Sequence, residues 1–172
     1  MSSGIPSSSR PQDKFYILFL MSFIPTIVFV DCIAIYPASI VPGPLLSLHE
    51  FYKATFNDQL VINQPPWFRL FSLVEFLYQL PVAVWAVWAL KNKSPKVPAT
   101  LLVWATVAFG TTMTCLFEFY HNEVMSSQEK SSLIAMYGCY GLLFGAIAAD
   151  MFCRIQKILS AVAKLSATQK TR

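Results

Sequence analysis

Residues 68–90 read FRLFSLVEFLYQLPVAVWAVWAL, a run in which only Arg69 and Glu75 carry charge. A helix needs about 20 apolar residues to cross the hydrocarbon core of a bilayer, so this stretch is long enough to span it. Three further runs of the same kind occupy roughly residues 15–36, 98–119 and 132–153. The chain of 172 residues is 55% apolar and 13% charged, whereas soluble domains carry about 25% charge. The expected fold is therefore an all-α membrane protein, a bundle of four transmembrane helices, with no room in the connections for another domain.

The segments between the spans alternate in charge. Arg10 and Lys14 precede the first run, and the connection of residues 46–66 sets Lys53 against Glu50 and Asp58. Lys91, Lys93 and Lys96 follow the second run, while Glu123 and Glu129 face Lys130 after the third. The tail carries Arg154, Lys157, Lys164, Lys170 and Arg172 without an acid. Basic segments face the cytosol, so this order predicts four spans with both termini cytosolic. It also accounts for the net charge of +4 without a nucleic-acid partner. The first run is longer than the apolar region of a signal peptide and contains Asp31, so it is expected to be retained as a helix.

The expected organisation is a disordered polar tail over 1–14, the membrane domain over 15–153 and a basic tail over 154–172, helical at its start. In that tail Ile155, Ile158, Leu159, Val162 and Leu165 recur at helical spacing between basic residues. This suits either a helix lying along an anionic membrane surface or a plain continuation of the fourth helix. Cys32, Cys115, Cys139 and Cys153 form no metal-binding spacing and read as packing residues. His49 and His121 read as surface residues in or beside the non-cytosolic connections. No metal or cofactor is expected.

Asp31 and Glu75 break the apolar pattern. An acid at the centre of a span costs about 2.5–3.5 kcal/mol on insertion scales and generally faces a bundle interior. Counting 1.5 Å per residue places both acids in the outer half of the membrane at comparable depth, so the two can share one site. Gln79 follows Glu75 by one helical turn and occupies the same face. Pro25 and Pro81 are expected to bend their helices and open a gap between them. Thr111, Thr112 and Thr114 put hydroxyls on helix three, and Tyr137 and Tyr140 put phenols on helix four. With Phe71, Tyr52 and Phe56 these residues describe an apolar pocket with two acids, suited to a lipophilic amine. The plainer alternative is that the acids only join helices, a contact that averages about 0.6 kcal/mol in membranes. Asp150 and Arg154 read as an interfacial pair, and Glu118 as either an interfacial charge or the pocket rim.

Several motifs point the same way. Ser22-Phe23-Ile24-Pro25, Phe29-Val30-Asp31 and Tyr36-Pro37 resemble helix one of the sigma-2 receptor (transmembrane protein 97) family, within the EXPERA-domain superfamily. Phe56-Asn57-Asp58, Pro65-Pro66-Trp67-Phe68 and Glu75-Phe76-Leu77-Tyr78-Gln79-Leu80-Pro81 extend the resemblance, which thins to Leu116-Phe117-Glu118, Tyr137 and Tyr140 beyond residue 91. Phe23 stands where the family pattern usually has His. The resemblance implies a homodimeric protein of the endoplasmic reticulum that binds sterols and cationic amphiphiles and serves sterol transport or homeostasis. It implies that Glu75 pairs with a ligand amine and that Asp31 orients it. Gln79 would contact the ligand or Glu75, and Tyr140 and Tyr137 would line the pocket. It also brings in an alternative from the same superfamily, a sterol isomerase, whose chemistry needs a proton donor and acceptor beside the ring. A scaffold for a partner membrane protein is a third reading.

Overall fold

The computed structural model describes residues 11–170. Helix α1 covers Pro11–Phe29, and two short 3₁₀ segments, Asp31–Ile35 and Ala38–Ile40, follow it. Helices α2 (Gly43–Phe56) and α3 (Gln59–Asn63) come next. Then α4 (Pro66–Val74) passes through a π turn (Glu75–Gln79) into α5 (Leu80–Lys91). Helix α6 is Val97–His121 and α7 is Ser127–Lys170. Four helical segments are long and apolar enough to cross a membrane: Pro11–Ile33, Pro66–Lys91, Val97–His121 and Ser127–Gln169.

Their outward faces carry Leu18, Leu77, Trp88, Val103, Phe117 and Leu142, all exposed. In water such a surface would drive association; in lipid it is the matching solvent. Helices α6 and α7 form the most extensive antiparallel pair, and α5 packs on both α1 and α6. Small residues allow this closeness: Ala83, Ala86 and Ala89 on α5 and Ala105 and Ala108 on α6 are all buried. The end of the bundle where α1 begins, α5 turns into α6 and α7 runs on past Arg154 is here the tail end; α2 and α3 cover the other, the cap end.

Two buried clusters hold the bundle. Towards the tail end Phe19, Phe23, Trp104 and Phe144 stack edge to face, with ring centroids 5.4–5.8 Å apart. At the cap end Leu60, Cys115, Phe119, Met125 and Leu133 form the second cluster, with Tyr52, Phe56, Trp67, Phe68, Phe71 and Tyr137 packed around it.

Local sequence fixes the ends of these elements. Asp58 caps α3 by accepting from the amides of Leu60 and Val61 at 3.0 and 3.3 Å. Asn57, at φ 49°, closes α2 in the left-handed conformation that Asn tolerates. Ser126 and Glu129 cap α7 reciprocally: the Glu129 carboxylate accepts from the Ser126 amide at 2.7 Å, and the Ser126 hydroxyl accepts from the Glu129 amide at 3.3 Å. At the tail end Arg154 contacts Asp13 at 2.7 Å and Asp150 at 2.7 Å, joining α1 to α7. The Asp13 oxygen and the terminal guanidinium nitrogen at Asp150 are held by charge rather than by aligned hydrogen bonds. Tyr16 also donates to Asp150 at 2.9 Å.

Three features differ from the reading of the sequence. The connection of residues 46–66 is mostly helical, because α2 and α3 fold over the end of the bundle. Helix α1 ends at Phe29, so Asp31 opens a 3₁₀ segment rather than sitting inside a continuous α-helix over 15–36. The fourth helix runs unbroken past residue 153 to Lys170, the plain continuation that is one of the two readings of the tail, in a stretch without Pro and, after Gly145, without Gly. Helix α1 also includes residues 11–14 of the expected disordered tail, whose first ten residues lie outside the described ones.

Candidate ligand-binding site

The two clusters do not meet everywhere. Between them lies a cavity of about 170 Å³ whose walls take Phe23, Ala108 and Phe144 from one cluster and Phe68, Phe71, Cys115 and Tyr137 from the other. Both backbone irregularities of the bundle sit at its level. Helix α1 gives way at Val30 (φ −124°, ψ −61°), which brings Asp31 to the cavity wall. In the neighbouring span the amide of Leu80 reaches back to the carbonyl of Glu75, one residue further than in an α-helix. π turns of this kind are frequent at functional sites. Pro81 has no N–H to offer, so no ordinary α-helical bond competes with the wider turn at that residue. Trp104 braces the turn, its indole N–H donating to the Gln79 carbonyl at 3.0 Å.

Glu75 and Gln79, at the two ends of the π turn, both line the cavity. The Asp31 charge bears directly on Glu75, yet among the described residues no Lys or Arg lines the cavity and no ion pair involves either acid. Two carboxylates in one apolar cavity without a protein cation form a site for a positive or hydrogen-bond-donating group. Gln79 is 1% exposed, and its amide nitrogen has no hydrogen-bond partner. Buried polar groups are nearly always satisfied, so this amide marks a point where the cavity offers a donor.

The remaining residues expected at the site divide into groups. Thr112, Tyr52, Phe71, Tyr137 and Tyr140 line the cavity. Phe56 does not; it packs against Tyr52 at 5.0 Å between ring centroids, in the cap-end cluster. Glu118 also lies off the cavity. All four cysteines are free, and Cys115 is a wall residue. Phe23 is 5% exposed and closes the tail-end floor with an apolar ring.

Most hydroxyls around the cavity are already engaged. Thr26, Ser72, Thr111 and Thr112 donate to backbone carbonyls of their own helices at 2.8–3.3 Å. Tyr52 and Tyr137 donate to Asp58 at 2.8 and 3.1 Å. Asp58 itself is fully buried. Burial pushes its carboxyl above the ordinary range, and the bonds from Tyr52, Val61, Tyr137 and Leu60 oppose that push.

Sequence reasoning missed two of these residues. Asp58 reads in the sequence as a charge of the connection and part of the Phe56-Asn57-Asp58 motif; its local signal is an Asp placed to cap a helix, while its partner Tyr137 lies 79 residues away. His49 reads as a surface residue in the sequence and instead lines the cavity from α2. The helical spacing of His49 and Tyr52, three residues apart on one face of α2, was the available clue.

The profile of the EXPERA (EXPanded EBP superfamily) family matches residues 44–151. The chain belongs to the EXPERA family. The matched span contains Glu75, Gln79, Asp58 and His49, while Asp31 precedes it. The chain is 31% identical over 144 residues to Sigma intracellular receptor 2 of Xenopus tropicalis, covering 78% of this chain and 84% of the relative. It is 28% identical over 152 residues to the Homo sapiens protein of the same name, covering 81% and 86%. It is also similar to Efficient mitochondria targeting-associated protein 19 of Schizosaccharomyces pombe, at 26% identity over 159 residues, with 89% and 81% covered. This EXPERA protein is thus a multi-pass membrane protein whose relatives match it over most of their length.

Proposed function

We propose that this EXPERA protein is an intramembrane binding protein for sterols and cationic amphiphilic ligands that serves sterol homeostasis or transport. The observation that carries this reading is the cavity wall formed by Asp31 and Glu75, two acids from different spans with no cation beside them among the described residues. A ligand amine would take the place of that cation, with Glu75 as its partner and Asp31 orienting it. Rings and aliphatic side chains such as Phe71, Phe23, Phe144 and Val30 would enclose the apolar body. The reading places the protein in the endoplasmic-reticulum membrane with both termini cytosolic, as a homodimer. The bilayer is then both solvent and route of supply for the ligand.

The test is saturation binding of a radiolabelled cationic sigma ligand to detergent-purified protein. Binding by wild type, lost in Glu75→Gln and weakened in Asp31→Asn, is the expected result. A folded wild-type protein that binds no such ligand would overturn the reading.

One observation favours a second reading. His49 faces the same cavity as the two acids, so the donor and acceptor that a sterol isomerase requires are both available there. Conversion of an added sterol to its double-bond isomer by purified protein, abolished by Glu75→Gln, would establish it; binding without conversion would leave the receptor reading alone.

A further inference from the structure

The cavity offers far fewer free polar groups than its composition suggests. Its six bonded hydroxyls have their protons committed: four to helix carbonyls and two to Asp58. The polar wall side chains that make no hydrogen bond to another described residue are Asp31, Glu75, Tyr140 and His49, and Gln79 through its amide nitrogen. Four of these belong to the spans. His49 alone comes from α2, outside them.

His49 reaches the cavity from α2, in the cap, whereas Asp31 and Glu75 belong to the spans. Lys53 and Glu50, its neighbours on α2, bear on its charge. Burial, together with Lys53, holds its base strength below the ordinary histidine value. At neutral pH the ring is therefore neutral, with one nitrogen donating and the other accepting. No other cavity residue supplied by the cap can both donate and accept, since the Tyr52 proton is held by Asp58.

We propose that His49 is a second polar anchor of the cavity, set apart from the acid pair, which selects ligands carrying a neutral hydroxyl or carbonyl distant from their amine. This rests on the receptor reading above and deepens it. The preferred ligand class is then two-headed: a basic nitrogen for Asp31 and Glu75, an apolar body, and a neutral hydrogen-bonding group for the imidazole. A rigid sterol skeleton with a ring hydroxyl at one end and an amine in its side chain has that form. A site built to hydrogen-bond a group discriminates against the analogue lacking it, because its own polar atom is left unpaired.

The test uses two tritiated probes in saturation binding to the purified full chain. One is a side-chain aza-sterol with its ring hydroxyl, and the other is the same aza-sterol with that hydroxyl removed. Wild type is expected to prefer the hydroxylated probe by about fivefold, the scale of one hydrogen bond. His49→Leu should bind both probes equally, at the affinity wild type shows for the deoxy probe. His49→Gln, which restores a donor and an acceptor, should recover part of the preference, which a merely structural loss would not allow. A wild type without preference, or a His49→Leu variant that keeps it, overturns the anchor while leaving the receptor reading intact. A wild type that binds neither probe fails the receptor reading and the anchor with it.

Discussion

The phenol of Tyr137 donates to Asp58 across 79 residues of chain, at 3.1 Å. With the 2.8 Å bond from Tyr52 it fastens α2, α3 and α7 at one carboxylate, and both tyrosines are cavity walls. Asp58→Ala removes the acceptor of both phenols and the cap of α3 together. Bonds to a charged group contribute about 1.5–3 kcal/mol each, so a loss of about 3 kcal/mol is expected. It should appear as a clearly lower thermal midpoint in detergent, with weaker ligand binding. An unchanged midpoint would show that the network bears no weight.

Asp58 also sets a pH dependence. Burial raises its carboxyl in the folded protein, so the folded state holds the proton more tightly than the unfolded chain does. Stability from this site is then greatest at low pH and declines as pH rises through the window between the ordinary and the raised value. Lowering the pH into the ordinary carboxylate range should raise the wild-type midpoint relative to that of Asp58→Asn, which has no proton to bind there. A constant gap between the two proteins, or one moving the other way, contradicts the assignment.

Arg154 is shared between Asp13 on α1 and Asp150 on its own helix. Arg154→Met keeps much of the side-chain volume and leaves two partly buried acids facing each other. Hydrogen exchange of amides over 150–165 should accelerate, because the brace between α1 and α7 is gone. Arg154→Lys should rescue only in part, since an ammonium cannot reproduce the planar fork that reaches both acids. Equal protection in wild type and Arg154→Met would remove the brace from the account.

Trp104→Phe tests the π turn. It keeps an aromatic ring among Phe23 and Phe144 but deletes the 3.0 Å bond to the Gln79 carbonyl. A loss of about 1 kcal/mol in stability is expected. Amine affinity should fall with it, as Glu75 and Gln79 lose their support. If stability falls and affinity holds, the turn keeps its shape without the indole.

How much of this was visible in the sequence follows from the range of each signal. The four spans were legible because length and hydropathy are local, and Asp31 and Glu75 because an acid stands out in an apolar run. The 3₁₀ break at Val30 and the π turn were not. Pro25 precedes the break by five residues, and Pro81 sits beyond the turn, so the prolines announced irregularity without its place. Phe56 and His49 shared one failing: the connection was read as a loop, and without a helix there was no face on which to sort them. Asp58 was out of reach because its bond partner Tyr137 comes from another element. The fate of the hydroxyls required coordinates too, since a threonine in a span reads the same whether it faces a ligand or its own backbone.

The unbroken course of α7 makes it a lever. Tyr137 and Tyr140 belong to its cavity stretch, and from Tyr140 to Lys170 the helix extends roughly 45 Å at about 1.5 Å per residue. No Gly or Pro lies in its final stretch to absorb a bend. A tilt of about 5° at the cavity would therefore sweep the far end through roughly 4 Å, by the same rise per residue. Whatever volume fills the space between Phe71 and Tyr140 is in this way expressed as an angle, magnified at the chain's last turn. A spin label near residue 165, paired with one on the α5–α6 turn, would read that angle as a distance.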